Sequence, residues 1–257
     1  MIKNDHFSAR QHVELFHLLF LVQLGQKLDK RYYALKGGCN LRFFHKSLRY
    51  SEDIDLDLQD ISPEKIVAVT DAILTSKPFA DILFVHGMAI GKWSKPKQTD
   101  TTQRWKIALA VKDSDVTLPT KVEFSRRGMT LNTSFAAIDP LIVKFYRLTP
   151  LLLNHYDAHA AYEQKITALI NRKETQARDV FDIGHLLNAG VDPALSSPDL
   201  RERLQQAIDN ILSITFPVFK SQVLSFLHPD YQRQYDSEEV WHDLLLKMVE
   251  RLERQAR

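Results

Sequence analysis

The chain has 257 residues, 44% of them hydrophobic and 26% charged, with a formal net charge of +2. That composition belongs to an ordinary soluble globular protein of one or two domains, and so small a total charge means that any basic site must be local. The lone Cys39 excludes an intramolecular disulfide framework, as suits a reducing cytosol.

The opening MIKNDHFSARQ is charged and lacks the apolar core of a signal peptide. The apolar run LFHLLFLVQL, residues 15–24, is about half the roughly 20 residues that a membrane span needs. A cytoplasmic protein without a membrane partner is expected. Residues 9–30 predict an amphipathic helix, with Val13, Phe16, Leu19, Phe20 and Leu24 at helical spacing and Ser8 as its N-cap. YYAL (32–35) predicts a short strand, Gly37-Gly38 a turn and 39–47 a helix. DIDLDL (53–58) alternates without a break and predicts a strand, and Pro63 opens a helix over 64–76. Three strand-like runs follow, at 82–90, 104–111 and 120–126. After about residue 136 five segments, from IDPLIVKFYRL to SEEVWHDLLLKMVERLERQ, carry helical periodicity, and Gly190 has the place of a C-cap. The expected fold class is α+β: a mixed-sheet domain over 1–136, then an all-helical domain over 137–257.

Asp53, Asp55 and Asp57 raise a physical question. Side chains two apart on a strand share a face, and carboxylates that close raise one another's pKa. Position alone fits a solvated acidic edge. Against that, Asp is poor in strands, and a divalent cation would turn the repulsion into coordination, hard oxygens favouring Mg²⁺ or Mn²⁺. The preceding Gly37-Gly38 has no Cβ to keep a phosphate away from the backbone, and a helix starts just after it. A phosphate cradle beside a metal site is the equipment of phosphoryl or nucleotidyl transfer.

KGGCNLRFF…YSEDIDLDL resembles the signature of the nucleotidyltransferases with the DNA polymerase β-type fold, and more closely that of the AbiEii/AbiGii abortive-infection toxins. Cys39 replaces the usual Thr or Ser, and the stretch between glycines and acids is somewhat long. The resemblance implies a third acid on a later strand, matched by Glu123 in TKVEFSR. It also implies a lysine on one helix and an R-D-x-x-D segment on the next, matched by Lys165 and by Arg178, Asp179 and Asp182. Spacing alone lets Lys165, beside Ala161, Tyr162, Ala168 and Leu169, either snorkel or point into a cleft. Asp179 and Asp182 fit a surface network equally well.

The family reading is a metal-dependent nucleotidyltransferase toxin of a bacterial toxin–antitoxin or phage-defence pair. It would move NMP from an NTP to an RNA hydroxyl, with a tRNA 3′ end as the expected acceptor and a separately encoded antitoxin as partner. Asp53, Asp55 and Glu123 would hold two Mg²⁺ or Mn²⁺ ions. Lys36, Gly37, Gly38 and Ser51 would meet the nucleotide, as would Lys165, Arg178, Asp179 and Asp182, with Lys165 and Asp182 facing the carboxylates across a cleft. Two alternatives stay open: NMP transfer to a protein hydroxyl, and a non-catalytic nucleotide-gated binding protein.

Two further features stand outside that signature. His155 and His159 are four apart, but no third ligand accompanies them, so a zinc site is not expected. The segment 91–106, GKWSKPKQTDTTQRWK, mixes five basic residues with two tryptophans and predicts a hairpin. Lys92, Trp93, Lys95 and Lys97 in it, with Arg126 and Arg127, are the candidate RNA contacts, by phosphate attraction and base stacking. The same composition also fits a solvated hairpin with core tryptophans.

Overall fold

The computed structural model describes residues 7–129 and 132–254, so the first six residues of the opening segment lie outside it. The chain divides into two compact units, Met1–Phe44 with Tyr50–Tyr156, and His45–Arg49 with Asp157–Arg257.

The first unit runs α1 (Ala9–Lys27), β1 (Tyr33–Lys36), α2 (Gly37–Phe44), β2 (Asp53–Leu58), α3 (Pro63–Leu74), α4 (Lys77–Val85) and β3 (Met88–Gln98). It continues through β4 (Thr102–Val111), β5 (Thr117–Ser125), β6 (Thr133–Ala137), α5 (Pro140–Phe145) and β7 (Leu152–Tyr156). Among the described residues these strands make one seven-stranded mixed sheet in the order β3-β4-β5-β2-β1-β7-β6. β2 lies antiparallel to β1 and parallel to β5, which carries it to the middle of the sheet. Alternation then sorts its side chains. Ile54, Leu56 and Leu58 are fully buried and join Trp105, Ile107, Leu109, Val122 and Phe124 in one core with Phe16 and Phe20 of α1. The aspartates take the other face.

Besides α2, which takes in Gly37-Gly38 and ends at Phe44 rather than 47, three details differ from the sequence expectation. α1 starts where predicted, with Ser8 and Gln11 forming a capping box, but it is not amphipathic. Its residues are buried on every side from Val13 to Leu21, as in a helix at the centre of a core. That forces two polar residues inside. Glu14 is paired there with Arg42 at 2.7 Å and accepts from the Tyr146 hydroxyl at 2.8 Å. The run 82–90 is the end of α4 followed by the start of β3, not one strand. Ser76 caps that helix and Pro78 sits in its first turn, and a short apolar run cannot reveal by itself which period it follows. Finally, β6 and β7 belong to the sheet, so the expected boundary at 136/137 falls inside the first unit and that unit runs on to Tyr156.

The second unit is helical among the described residues: α6 (Ala158–Asn171), α7 (Ala177–Asn188), α8 (Pro198–Glu202), α9 (Leu204–Leu212), α10 (Phe216–Gln222), α11 (Pro229–Tyr235) and α12 (Glu238–Glu253). α6 and α7 pack against one another, α9 on α6, and α12 on both α7 and α9. Phe219 stacks on Trp241 in its core and meets Phe181 at a tilt. The short segment 45–49 is built into this unit rather than the first. His228 N–H donates to the Leu48 carbonyl at 3.3 Å, and the His185 ring bonds the His45 carbonyl at 2.7 Å. No described helix is long and apolar enough to cross a membrane.

α1 is also tied to the strands by a buried polar chain. Thr120 Oγ1 donates to the Glu52 carbonyl at 2.7 Å, so its oxygen accepts from His17 Nε2 at 2.7 Å. Burial holds the His17 imidazole down at about 3, far below its ordinary value of 6.5. A histidine kept neutral in the fold and free to protonate when unfolded stabilises fully above pH 6.5 and progressively less as pH falls towards 3. Urea unfolding between pH 7 and pH 4 is expected to show this as a slope approaching about 1.4 kcal/mol per pH unit. That share of the slope should vanish in His17→Gln. An unchanged slope in the variant would show that His17 is not the acid-sensitive group.

Candidate active site

The open face of the sheet is ordered by strand register. Asp55 of β2 sits opposite Glu123 of β5 on one side and Lys36 of β1 on the other, and Asp53 sits opposite Lys121. The three candidate acids therefore share one face on adjacent strands. Each neighbour has a consequence. The Lys121 ammonium reaches Asp53 Oδ2 at 2.6 Å, the Arg104 guanidinium reaches Glu123 Oε2 at 2.6 Å, and Lys36 reaches Asp57 Oδ1 at 2.5 Å. Asp57, the most buried of the aspartates in this strand at 6% exposure, also accepts from the Tyr156 hydroxyl at 2.8 Å.

Asp55 is the exception. Among the described residues no ion pair or hydrogen bond reaches its carboxylate. Burial pushes its carboxyl above the usual range, and Asp53 and Glu123 add to that, while Lys121 and Lys36 pull it back. Gly37 lies against it: a Cβ at that position would sit 2.8 Å from Asp55 Oδ2. Gly37 also has a φ of +66°, in the left-handed region that glycine alone enters freely, so the start of α2 passes close to the acid for two independent reasons.

The strand entrance is held from below. The Cys39 thiol donates to the Asp53 carbonyl at 3.2 Å and the Ser51 hydroxyl to the same oxygen at 2.9 Å. Burial pushes the Cys39 thiol up, so it acts as a neutral donor. Ser51, expected near the nucleotide, thus also braces the backbone of Asp53.

In the helical unit, Lys165 of α6 bridges both aspartates of α7, at 3.0 Å to Asp179 Oδ1 and 2.7 Å to Asp182 Oδ2. Arg49 grips Asp182 with two nitrogens, at 3.2 and 2.8 Å. The Arg172 Nε lies 2.7 Å from Asp179 Oδ2, close enough for an ion pair but not aligned as a hydrogen bond. Both aspartates are fully buried. Burial alone would raise the Asp182 carboxyl; Arg49 and Lys165 more than reverse it and hold it at about 2. Burial would likewise lower the Lys165 ammonium, but Asp182 and Asp179 raise it, so it stays charged. Arg178 is half-buried on the same helix.

The structure thus brings Asp53, Asp55 and Glu123 together with Gly37 and Lys36, and separately Lys165 with Asp179 and Asp182. It divides the candidate RNA contacts. Lys95 turns to Asp71 of α3 at 2.8 Å, Trp93 packs against the core, and Arg126 bonds Gln103 and the Ile61 carbonyl. Arg127 is exposed beyond β5. His155 and His159 lie on β7 and α6, with ring nitrogens bonded to the Tyr156 and Ala194 carbonyls respectively. Three residues with clear roles escaped the sequence reading: Lys121, Arg104 and Arg49. The first two lie on the same strand faces as the acids, a relation that only pairing reveals. Arg49 lies in the somewhat long stretch between glycines and acids, of which residues 45–49 fold into the helical unit.

No group of three or more His, Cys, Asp or Glu converges as a metal site among the described residues. The donor set is nevertheless suited to one: Asp53, Asp55 and Glu123 offer only carboxylate oxygens, and a cation, the Lys121 ammonium, already rests against Asp53.

The model of the AbiEii family, described as a nucleotidyl transferase toxin of a type IV toxin–antitoxin system, matches residues 19–254. Among solved structures, JHP933 from Helicobacter pylori is similar at 18% identity and a TM-score of 0.62, over 97% of this chain and 94% of that one. MenT4, a nucleotidyltransferase toxin from Mycobacterium tuberculosis H37Rv, is similar at 21% identity and a TM-score of 0.60, over 96% of this chain and 86% of that one. At such identities these likenesses establish the α+β nucleotidyltransferase fold. No curated protein matches the chain.

Two outcomes are expected from this geometry. Arg49→Ala would leave Asp182 buried with a single partner and should cost about 3–5 kcal/mol in urea unfolding. In the parent, the stability due to Asp182 is fully present above its ordinary 3.8 and is lost as pH falls through about 2. A loss near zero in Arg49→Ala would mean that the network is solvated. Gly37→Ala should lower Tm, because it combines a strained φ with a contact on Asp55. An unchanged Tm would show that the start of α2 is free to move away.

Proposed function

Because the chain belongs to the AbiEii family of nucleotidyltransferase toxins from type IV toxin–antitoxin systems, we propose that it transfers NMP from an NTP to an RNA hydroxyl. The observation that carries this reading is the rank of Asp53, Asp55 and Glu123 across two paired strands, with Gly37 closing on Asp55.

Asp53, Asp55 and Glu123 would hold Mg²⁺ or Mn²⁺, turning from Lys121 and Arg104 to do so. The bound cation supplies Lewis acidity at the phosphoryl oxygens. The chain's own residues do the rest. Gly37 and Gly38 admit the phosphates to the backbone, and Lys36 adds positive charge at the edge of the same rank. Ser51 and Cys39 fix the Asp53 carbonyl, and with it the direction of the acid. The acceptor oxygen bonds to the α-phosphorus as the bond to pyrophosphate breaks, and the acceptor's proton leaves to a carboxylate or water. In the helical unit we assign Lys165 to triphosphate charge, and Arg178, Asp179 and Asp182 to nucleotide binding. The acceptor on this reading is a tRNA 3′ end, the place of action the cytoplasm, and the partner a separately encoded antitoxin.

A second reading has its own support. Asp53 and Glu123 are already neutralised by Lys121 and Arg104, as would suit a protein that binds a nucleotide without turning it over. Incubation with each labelled NTP, Mg²⁺ or Mn²⁺, and either total tRNA or total protein separates the cases. Label on tRNA is the expected result; label on protein would change the acceptor; label on neither would leave the binding protein. Asp53→Asn with Asp55→Asn should abolish transfer in a folded protein, and retained transfer would remove these acids from the chemistry.

Lys121 gives a test that does not depend on turnover. In Lys121→Met the carboxylates lose their internal counter-ion, so the metal-free Tm should fall by roughly 2–4 °C. Added Mn²⁺ should then raise Tm by more than it does in the parent. Equal Mn²⁺ shifts in both proteins would show that the cation binds elsewhere.

A further inference from the structure

The open face does not stop at the carboxylates. Register carries each rank outward across β5, β4 and β3: Asp53 is followed by Lys121, Lys106 and Ser94, and Asp55 by Glu123, Arg104 and Lys97. One step further along, Ala108 of β4 faces Lys92 of β3. On β3, β4 and β5 this face therefore presents Lys92, Lys97, Arg104, Lys106 and Lys121. Arg104 is committed to Glu123 and Lys121 to Asp53. Lys92, Lys97 and Lys106 have no ion pair or hydrogen-bond partner among the described residues, and Lys92 and Lys106 are exposed.

The aromatic residues of the same hairpin go elsewhere. Trp105 is wholly buried, and Trp93, opposite Ile107, packs on the core side. Lys95 follows Ser94 and so takes the other face by alternation, where it pairs with Asp71, while the register shift between Ser94 and Lys97 returns Lys97 to the open face opposite Arg104. The mixture of lysine and tryptophan in the sequence is thus sorted by the strand period. Lysines line the face that carries the acids, and tryptophans build the interior.

Resting on the reading of this protein as a transferase with an RNA acceptor, we propose that Lys92, Lys97 and Lys106 form a track for the phosphate backbone of that RNA. The track crosses the open face of β3 and β4 and leads the acceptor's hydroxyl to the Asp53–Asp55 rank. Point charges without aromatic stacking surfaces favour a polyanion held by its phosphates. Such contacts position a strand and carry no base preference. This revises the hairpin's expected role, because stacking on Trp93 or Trp105 plays no part.

The test compares the full-length parent with the triple variant Lys92→Gln, Lys97→Gln, Lys106→Gln, and with Lys95→Gln as a charge-matched control on the other face. Binding of a fluorescent single-stranded RNA and of total tRNA is measured over a series of salt concentrations without NTP. Lost single-strand phosphate contacts reduce the slope of log K against log salt by about 0.7 each, so the triple variant should lose about 2. Lys95→Gln should keep the parent's slope, and all three proteins should bind NTP equally. A triple variant with the parent's slope, while the parent binds RNA, overturns the track and leaves the proposed reaction standing. A parent that binds neither RNA overturns both, and an acidic polypeptide bound through these lysines would then name the other occupant.

Discussion

Alternating aspartates on a central strand are tolerable only because of what strand pairing sets beside them. Like charges on every second residue of β2 would repel, and burial would raise the cost further. Parallel pairing with β5 puts Lys121 opposite Asp53, and antiparallel pairing with β1 brings Lys36 to Asp57. The sheet therefore carries its own counter-ions, leaving Asp55 as the one acid of the strand without a partner among the described residues. On the function proposed above, Mg²⁺ or Mn²⁺ would be the positive charge that this rank of carboxylates receives.

Much of the first unit serves to hold that strand in register. A slip of one residue would turn every aspartate into the core. Ile54, Leu56 and Leu58, in one core with Phe16 and Phe20 of α1, oppose the slip by their apolar area. Polar ties at the strand entrance add direction: Ser51 and Cys39 hold the Asp53 carbonyl, and His17 and Thr120 hold Glu52. Buried hydrogen bonds contribute little net stability when made and cost much when broken, so such ties fix geometry more than they stabilise.

The helical unit meets the same problem with different means. Asp179 and Asp182 share a face of α7, and three cations, Lys165, Arg49 and Arg172, surround them. The network needs a residue that lies between the glycines and the acids in sequence, far from α6 and α7. Folding segment 45–49 into this unit supplies it. Arginine suits the position because its planar fork meets both oxygens of one carboxylate.

Local periodicity and turn chemistry were legible directly. The alternation of DIDLDL, the Ser8 cap and the proline at the start of α3 depend only on neighbouring residues, and the structure has them where the pattern puts them. The acids themselves were also legible, because their spacing is local and their setting matches a family signature. What depends on contacts distant in the chain was not. The all-round burial of α1, the addition of β6 and β7 to the sheet, and the helix hidden in residues 77–85 depend on neighbours that a short apolar run does not name. The same holds for Lys121, Arg104 and Arg49, whose partners are chosen by register and by chain path. By itself the sequence determined which residues carry charge and which way each strand faces, because side-chain period is a local property of the backbone. Only the tertiary structure decided which cation meets which acid, because pairing across strands and between helices is set by packing over the whole unit.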